Sequence, residues 1–148
     1  MAGRSRSAGY EAWEVIADLW FGDETHDRFH NACAAVDLSP PQLKTLLSLQ
    51  PGDEQPMRAI ADALHCDASW VTGIVDGLEQ RGYVERTPHS TDRRVKVVKI
   101  TPVGEKAKDT ARDQLYEPPP AFIDALTQNE QRTLRDLLRK VRDSKSSE

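Results

Sequence analysis

The hydrophobic pattern between residues 57 and 100 constrains the fold more than any other feature, because its period changes once, at Gly82. Before this glycine, apolar residues recur at helical spacing, which predicts two short helices, one at 57–64 and one at 68–81. After the glycine the period becomes two. The strand-like runs on either side of the polar stretch HSTDRR predict a β-hairpin.

Two helices that are joined by a tight turn and followed by a hairpin are typical of a winged helix-turn-helix. The hairpin strands, predicted at 83–88 and 95–100, would form the wing. Further helical patterns flank this unit, and their apolar stripes have no other core to join, which favours a dimerisation layer. The expected fold is therefore mainly α with a small β-hairpin wing and with N- and C-terminal dimerisation helices. The expected boundaries are a disordered tail at 1–9, a dimerisation helix at 10–37, a winged helix-turn-helix DNA-binding lobe at 38–101 and C-terminal helices at 102–148.

The net charge of −4 argues at first against a nucleic-acid partner, but the charge is unevenly distributed. Residues 1–38 hold three basic and seven acidic side chains, which accounts for the acidic excess. Residues 81–99 hold six basic and two acidic side chains, and they span the end of the second helix and the wing. The wing therefore carries a basic patch of the kind that contacts phosphates in double-stranded DNA.

A series of motifs occurs in a specific order along residues 38–104. They are LSPPQLKTLLSL, Val71-Thr72, Leu78-Glu79, Arg81-Gly82, Val84, Arg86, Asp92-Arg93-Arg94 and Thr101-Pro102-x-Gly104. In this combination they resemble the MarR family of multiple-antibiotic-resistance-type transcriptional regulators. The resemblance implies a homodimer that binds a pseudo-palindromic operator, usually as a repressor. It also implies release from DNA by a small ligand or by thiol oxidation.

The face of the second helix opposite its buried stripe is the predicted DNA-contacting surface. Ser69 and Thr72 carry hydroxyls that can contact base edges or phosphates, and a helix N-terminus favours a phosphate. Alternatively, these polar positions are merely solvated, or Thr72 bonds back along its own helix. Together with the basic patch, the predicted DNA-binding residues are Ser69, Trp70, Thr72, Gly73, Asp76, Arg81, Arg86, Arg93, Arg94 and Lys96.

Three residues of the second helix depart from the family pattern. Gly73 and Gly77 stand where many relatives have arginine or another larger residue, and each glycine costs about 0.5–1 kcal/mol of helix stability relative to alanine. Gly73 can let DNA approach closely, whereas Gly77 removes an expected phosphate contact. Trp70 replaces a small or polar residue, and it either packs on a thymine methyl or sugar or folds onto the protein surface.

The Asp92-Arg93-Arg94 triplet lies in the predicted hairpin turn. By the family pattern, one arginine pairs with Asp92 and stabilises the wing, while the other enters the minor groove, where narrow A·T-rich DNA concentrates negative potential. We expect Arg94 to be the partner of Asp92 and Arg93 to be the inserted residue. The alternative interpretation is a solvated charged turn.

A second group of chemically versatile side chains lies on the first long helix. His26, His30 and Cys33 fall at i, i+4 and i+7, and imidazoles at this spacing can share a zinc ion. Because such a stripe equally suits a dimer or cavity surface, we expect no metal and no cofactor. A thiol- or metal-responsive regulator of the same fold, with Cys33 or Cys66 as the thiol, is the alternative. By the resemblance, the candidate pocket for a small-molecule effector is lined by Trp13, Trp20, His26 and His30.

Other function classes find little support in the sequence. The chain contains no GxSxG, HExxH, GxGxxG or GxxxxGK[ST] motif, so we expect no enzyme. No apolar run approaches the roughly 20 residues that a bilayer crossing needs, and neither a secretory signal nor a CxxC motif is visible. These features predict a cytoplasmic protein without a membrane partner. A winged-helix protein-interaction module without DNA binding is the remaining alternative, and it would not need Arg93.

Overall fold

The computed structural model describes residues 7–144, and for residues 23–25 and 121 it describes the backbone alone. Within this range there are eight helices and three strands. In chain order they are α1 (Ala8–Phe21), α2 (Asp23–Ala35), α3 (Pro40–Ser48), β1 (Gln55–Pro56), α4 (Met57–Leu64), α5 (Ala68–Gln80), β2 (Val84–Pro88), β3 (Lys96–Ile100), α6 (Pro102–Tyr116), α7 (Pro120–Asp124) and α8 (Gln128–Ser144). The mainly helical winged fold expected from the sequence is confirmed. The chain divides into two compact units between Leu115 and Tyr116.

The core of the winged lobe lies in the first unit and is built from the apolar faces that the sequence periodicity predicts. Burying a Val or Leu side chain contributes about 1.5–3 kcal/mol, so such a core holds α3, α4, α5 and the sheet together. Helix α2 adds Ala32 and Cys33 to this core, and Val36 just after the helix adds to it as well. The largest fully buried aliphatic side chains are Leu43, Leu46, Leu49, Val71, Val75, Leu78, Val84, Val97 and Val98.

The sheet has the order β1-β3-β2, and both pairings are antiparallel. In the hairpin, Val84 pairs with Ile100 and Pro88 with Lys96, so each strand begins one residue later than predicted. Strand β1, which places Gln55 opposite Val98, was not predicted from the sequence. This strand has two residues and one is a proline, so it lacks the alternating pattern by which strands are recognised.

The predicted dimerisation helix at 10–37 is two helices, α1 and α2, because Gly22 between them has an extended backbone (φ −63°, ψ 154°). Helix α1 also begins earlier than expected. Ser7 caps it by accepting a hydrogen bond from the Tyr10 backbone N–H at 3.3 Å, so residues 7–9 are not a disordered tail. The rest of that predicted tail, residues 1–6, lies outside the described residues.

A close backbone contact fixes where α6 leaves the sheet. Thr101 donates its hydroxyl to the Gly82 carbonyl, and it accepts a hydrogen bond from the Gly104 N–H at 3.0 Å. A methyl group on Gly104 would overlap the Tyr83 carbonyl. Only glycine therefore fits this position, which gives the Thr-Pro-x-Gly motif a structural meaning.

The second unit contains α7 and α8, of which α7 was not anticipated. Helix α8 begins with a capping box, since the Thr127 N–H donates to Glu130 Oε2 at 2.8 Å and the Glu130 N–H to Thr127 Oγ1 at 3.4 Å. The last four residues of the predicted C-terminal segment lie outside the described part. No helix within residues 7–144 combines the length and the apolar character needed to cross a membrane.

Candidate nucleic-acid interface

Helix α5 turns Val71, Ile74, Val75 and Leu78 into the core and leaves its opposite face open. Asp67 caps its N-terminus by accepting the Trp70 backbone N–H at 3.0 Å and the Ser69 hydroxyl at 2.7 Å. These hydrogen bonds, chiefly the one from Trp70, lower the pKa of Asp67. The cap therefore stays ionised, and Ser69 contributes an acceptor oxygen to the open face.

The open face of α5 carries an exposed aromatic side chain, Trp70, and a glycine, Gly73, near its centre. Trp70 is 52% exposed, and Gly73 follows it by three residues with no atom within 4 Å of the place a methyl would occupy. Thr72 donates its hydroxyl to the Ala68 carbonyl at 3.0 Å, so the back-bonding alternative is the arrangement present. Trp70 projects beside a stretch of unobstructed helix backbone, where another molecule can approach closely.

Gly77 has a structural role that the sequence analysis did not anticipate. A methyl group here would overlap the side-chain amide of Gln42, which lies across the glycine. Gln42 is held there because its Oε1 accepts the Ser39 backbone N–H at 2.9 Å at the start of α3. The absence of a side chain at position 77 therefore allows α3 and α5 to pack closely.

Arg86 and Asp76 were both predicted to face DNA, but the structure pairs them with each other. Arg86 donates to Asp76 Oδ1 and, through Nε, to Glu79 Oε2 at 2.7 Å. The hydrogen bonds to Glu79 and Asp76 raise the pKa of Arg86. Since Arg86 is on β2 and both carboxylates are on α5, these ion pairs join the wing to the helix. Their contact with DNA remains only a prediction.

Arg81 also has intramolecular partners. Its guanidinium donates to the Gly77 carbonyl at 3.2 Å and to Asp37 Oδ2 at 3.1 Å. A cation at the C-terminal end of a helix satisfies free carbonyls and complements the helix dipole. Arg81 therefore ties the end of α5 to the turn that follows α2.

At the wing turn, the Asp92–Arg94 pair is present as the sequence analysis expected. The Arg94 backbone N–H and Nε each donate to Asp92 Oδ1 at 3.1 Å, and the side-chain hydrogen bond is the main reason that the pKa of Asp92 is lowered. The side chains of Arg93 and Lys96 are exposed, and neither side chain has a hydrogen-bonded or ion-pair partner within residues 7–144. The wing therefore presents two cations that are available to an external anion.

Glu54, just before β1, is a wing residue that the sequence analysis missed. Its carboxylate accepts the Ser90 hydroxyl at 2.8 Å and pairs with Lys99 Nζ at 2.9 Å, and His89 Nε2 lies 3.4 Å away. The hydrogen bonds from Lys99 and Ser90 lower the pKa of Glu54 to about 2. Glu54 precedes Ser90 by 36 positions, so no local pattern could have revealed this anchor of the wing loop.

The candidate effector residues lie on α1 and α2. Trp13 and Trp20 are 64% and 65% exposed. Among these four residues, the described contact is between His26 and His30, whose Nε2 atoms are 3.0 Å apart.

The two cysteines differ in exposure, since Cys33 is buried and Cys66 is half-buried. Desolvation raises the pKa of both thiols, which lowers their thiolate fraction and weighs against the thiol-responsive alternative. Where side chains are described, no cluster of three or more metal-ligating residues occurs.

Comparison with known proteins agrees with this geometry. The MarR family model matches residues 38–96. The HTH-type transcriptional regulator BilQ of Clostridium symbiosum is 30% identical over 98 residues, which cover 66% of this chain and 67% of BilQ. The uncharacterised HTH-type regulator YfiV of Bacillus subtilis is 38% identical over 82 residues, or 55% of this chain, but the match spans only 49% of YfiV.

Solved structures show the same fold. The S. aureus MepR–DNA complex superposes with a TM-score of 0.65 at 20% identity, covering 88% of this chain and 98% of that one. The family match covers helices α3, α4 and α5 and strands β1 and β2, and the similarity to BilQ runs over a longer stretch of 98 residues. The chain therefore belongs to the MarR family, whose members are transcriptional regulators and not enzymes.

Proposed function

We propose that this chain binds double-stranded DNA as a homodimer and represses transcription from a pseudo-palindromic operator. The observation that carries the proposal is the unequal use of the arginines in the basic segment. Arg81, Arg86 and Arg94 are engaged by carboxylates of the same chain, whereas Arg93 is exposed at the wing turn without an ion-pair partner in the described residues. A cation left unpaired in an exposed turn suits a polyanionic partner.

Within this proposal the two DNA-facing elements have different tasks. Helix α5 enters the major groove, where Trp70 contacts thymine methyls or sugars and Ser69 offers an acceptor oxygen. The wing places Arg93 in the minor groove and Lys96 near a phosphate. Asp92 and Arg94 stabilise the turn that carries Arg93. S. aureus MepR, a protein of the same fold, has been crystallised with DNA, which supports DNA as the partner.

The homodimer is supported by apolar surface at both ends of the chain. On α1, Trp13, Leu19 and Trp20 are each more than 60% exposed, and on α8 Leu137 and Val141 are 58% and 60% exposed. Apolar patches of this kind mark protein interfaces. A two-fold dimer presents two wings and two α5 helices, so we expect it to bind a pseudo-palindromic operator. The DNA that it binds would be that of the cytoplasm.

Release by a small ligand completes the proposal, with Trp13, Trp20, His26 and His30 as the candidate contacts. Such a ligand must favour one spacing of the two α5 helices over another, and a coupling of about 1–3 kcal/mol is sufficient. Footprinting of the DNA upstream of the chain's own gene, with and without candidate ligands, tests this part. Protection that no ligand relieves would contradict it.

Salt-dependent DNA binding tests the central proposal. Arg93→Ala should weaken binding of the footprinted duplex by about 1–3 kcal/mol, or roughly 5- to 150-fold, and should reduce the slope of affinity against salt. Arg142→Ala, which removes an arginine paired with Asp143 on α8, is the matched control and should change neither quantity. Fluorescence anisotropy at several salt concentrations measures both. Absent or salt-insensitive binding would instead favour the protein-interaction module.

A further inference from the structure

Helix α2 carries an exposed pair of imidazoles whose geometry is unusual for solvated side chains. His26 and His30 are one helical turn apart, and their Nε2 atoms lie 3.0 Å from each other. The ring centroids are 4.5 Å apart and the rings are steeply inclined, at 73°. The two nitrogens therefore lie against each other, and do not point separately into solvent.

This separation is close to that of two ligands on one metal ion. A zinc ion binds imidazole nitrogen at about 2.0–2.1 Å, so two such nitrogens in a tetrahedral site lie roughly 3.3 Å apart. Small rotations of the two exposed rings are sufficient to reach that distance. The helix thus supplies most of the ordering that a bidentate site requires.

The hydrogen bond between the rings does not oppose metal binding strongly. In the neutral pair one Nε2 donates a proton and the other accepts it. A metal ion needs both Nε2 lone pairs, which the donor ring provides by moving its proton to Nδ1. No net proton is gained or lost, and both side chains are exposed enough to make the change.

Among the side chains that the structure describes, none completes the coordination of the ion, so we assign water to the open positions. Cys33 continues the same stripe, but it is 5% exposed and packed in the core of the lobe. Where side chains are described, no third His, Cys, Asp or Glu completes a cluster with the pair. We propose that His26 and His30 bind one divalent transition-metal ion per chain through their Nε2 atoms, with water at the open positions.

Imidazole selects the class of ion. Late first-row ions and zinc bind nitrogen ligands well, whereas Mg²⁺ prefers oxygen ligands and gives up its waters reluctantly. Such a site lies on the exposed face of α2, while the same helix contributes Ala32 and Cys33 to the core of the lobe. Metal binding by this pair requires no DNA, so it can be measured on the chain alone.

Isothermal titration of the full chain with ZnCl₂ tests the site, and MgCl₂ is the contrasting probe. We expect one Zn²⁺ per chain, and a loss of at least about tenfold in affinity in His26→Gln and in His30→Gln, since each variant leaves a single ligand. His65→Asn is the matched control, because His65 is exposed elsewhere with φ +52°, a backbone conformation that asparagine tolerates.

The substituted side chains are exposed, so both variants should unfold like the unchanged chain, and circular dichroism verifies this. Retained Zn²⁺ affinity in both variants would overturn the proposal. So would an equal loss in His65→Asn, or Mg²⁺ binding as tight as Zn²⁺ binding.

Discussion

The winged lobe and the two terminal helices, α1 and α8, carry similar apolar stripes, but the lobe buries its stripes and the terminal helices leave theirs exposed. In the lobe, the stripes of α3, α4 and α5 are covered by one another and by the sheet, and the largest side chains are almost wholly inaccessible. Neither α1 nor α8 contains a single buried residue among those described. Periodicity in a sequence therefore identifies which face of a helix is apolar, but it does not identify what covers that face.

The charges repeat this contrast within the lobe itself. Arg81, Arg86 and Lys99 each have a carboxylate partner from a different element, so they stabilise the fold. Arg93 belongs to the same basic segment and has no such partner in the part of the chain that the structure describes. Groups that the lobe does not satisfy internally, whether apolar or cationic, are the ones we assign to other molecules.

The largest expected effect comes from placing charge on the uncovered face of α1. The double substitution Trp13→Glu and Leu19→Glu should weaken the proposed dimer by about 4 kcal/mol, or roughly a thousandfold, because large side chains at interface centres each contribute about 2 kcal/mol or more. Sedimentation equilibrium measures the mass. Trp70→Glu, at an aromatic residue exposed on the lobe, should leave the mass unchanged. A dimer that survives the double substitution would show that α1 does not form the interface.

The covered side of the comparison is tested by Gly104→Ala. The added methyl overlaps the Tyr83 carbonyl and the Ile100 side chain, and backbone cannot move aside as a flexible side chain can. Overpacking of this kind should lower the free energy of unfolding by about 2–3 kcal/mol. Gly9→Ala on α1 is the control, since its methyl meets nothing closer than 3.9 Å. Urea denaturation compares the two, and equal stabilities would contradict the close contact.

The two glycines of α5 offer a smaller and more exact comparison. Gly73→Ala meets open space, so it should stabilise the chain by about 0.5–1 kcal/mol through helix propensity. Gly77→Ala gains the same helix propensity, but its methyl displaces the Gln42 side chain. Gln42 then loses the hydrogen bond from the Ser39 N–H, which costs about 0.5–1.5 kcal/mol of stability. Gly73→Ala should therefore be the more stable variant by about 1 kcal/mol in urea denaturation. The reverse order would show that Gln42 relaxes without cost.

Sequence was sufficient for features that depend on neighbouring residues. The expected Asp92–Arg94 pair joins residues two positions apart, and the structure contains it. The Asp67 cap and the Thr127–Glu130 capping box are equally local, since each spans three positions. The hairpin strands also agree within one residue at their first positions.

Features that join more distant segments were missed. Arg86 meets Glu79 only because β2 returns alongside α5, so the sequence pattern shows a basic residue near the wing but not its ion pair. Likewise β1 is a strand only through its pairing with β3, and Gln42 covers Gly77 only because α3 packs on α5. Tertiary contacts, which no local period reports, decide these cases.

The smallest expected effect comes from Glu54, which lies just before β1 and holds Ser90 of the wing loop. This effect on stability depends on the pH. The pKa of Glu54 is lowered to about 2 in the folded chain from 4.5, so the stability it contributes is present above about pH 4.5 and is lost as the pH falls towards 2. Glu54→Gln should therefore destabilise the chain at pH 7, and the difference from the unchanged chain should shrink at pH 3.5. Glu85→Gln, at an exposed carboxylate on β2, controls for the loss of charge from the same sheet. Urea denaturation at both pH values measures the difference in the free energy of unfolding between Glu54→Gln and the unchanged chain. A difference that is the same at both pH values would mean that the ionised carboxylate does not hold Ser90 and Lys99.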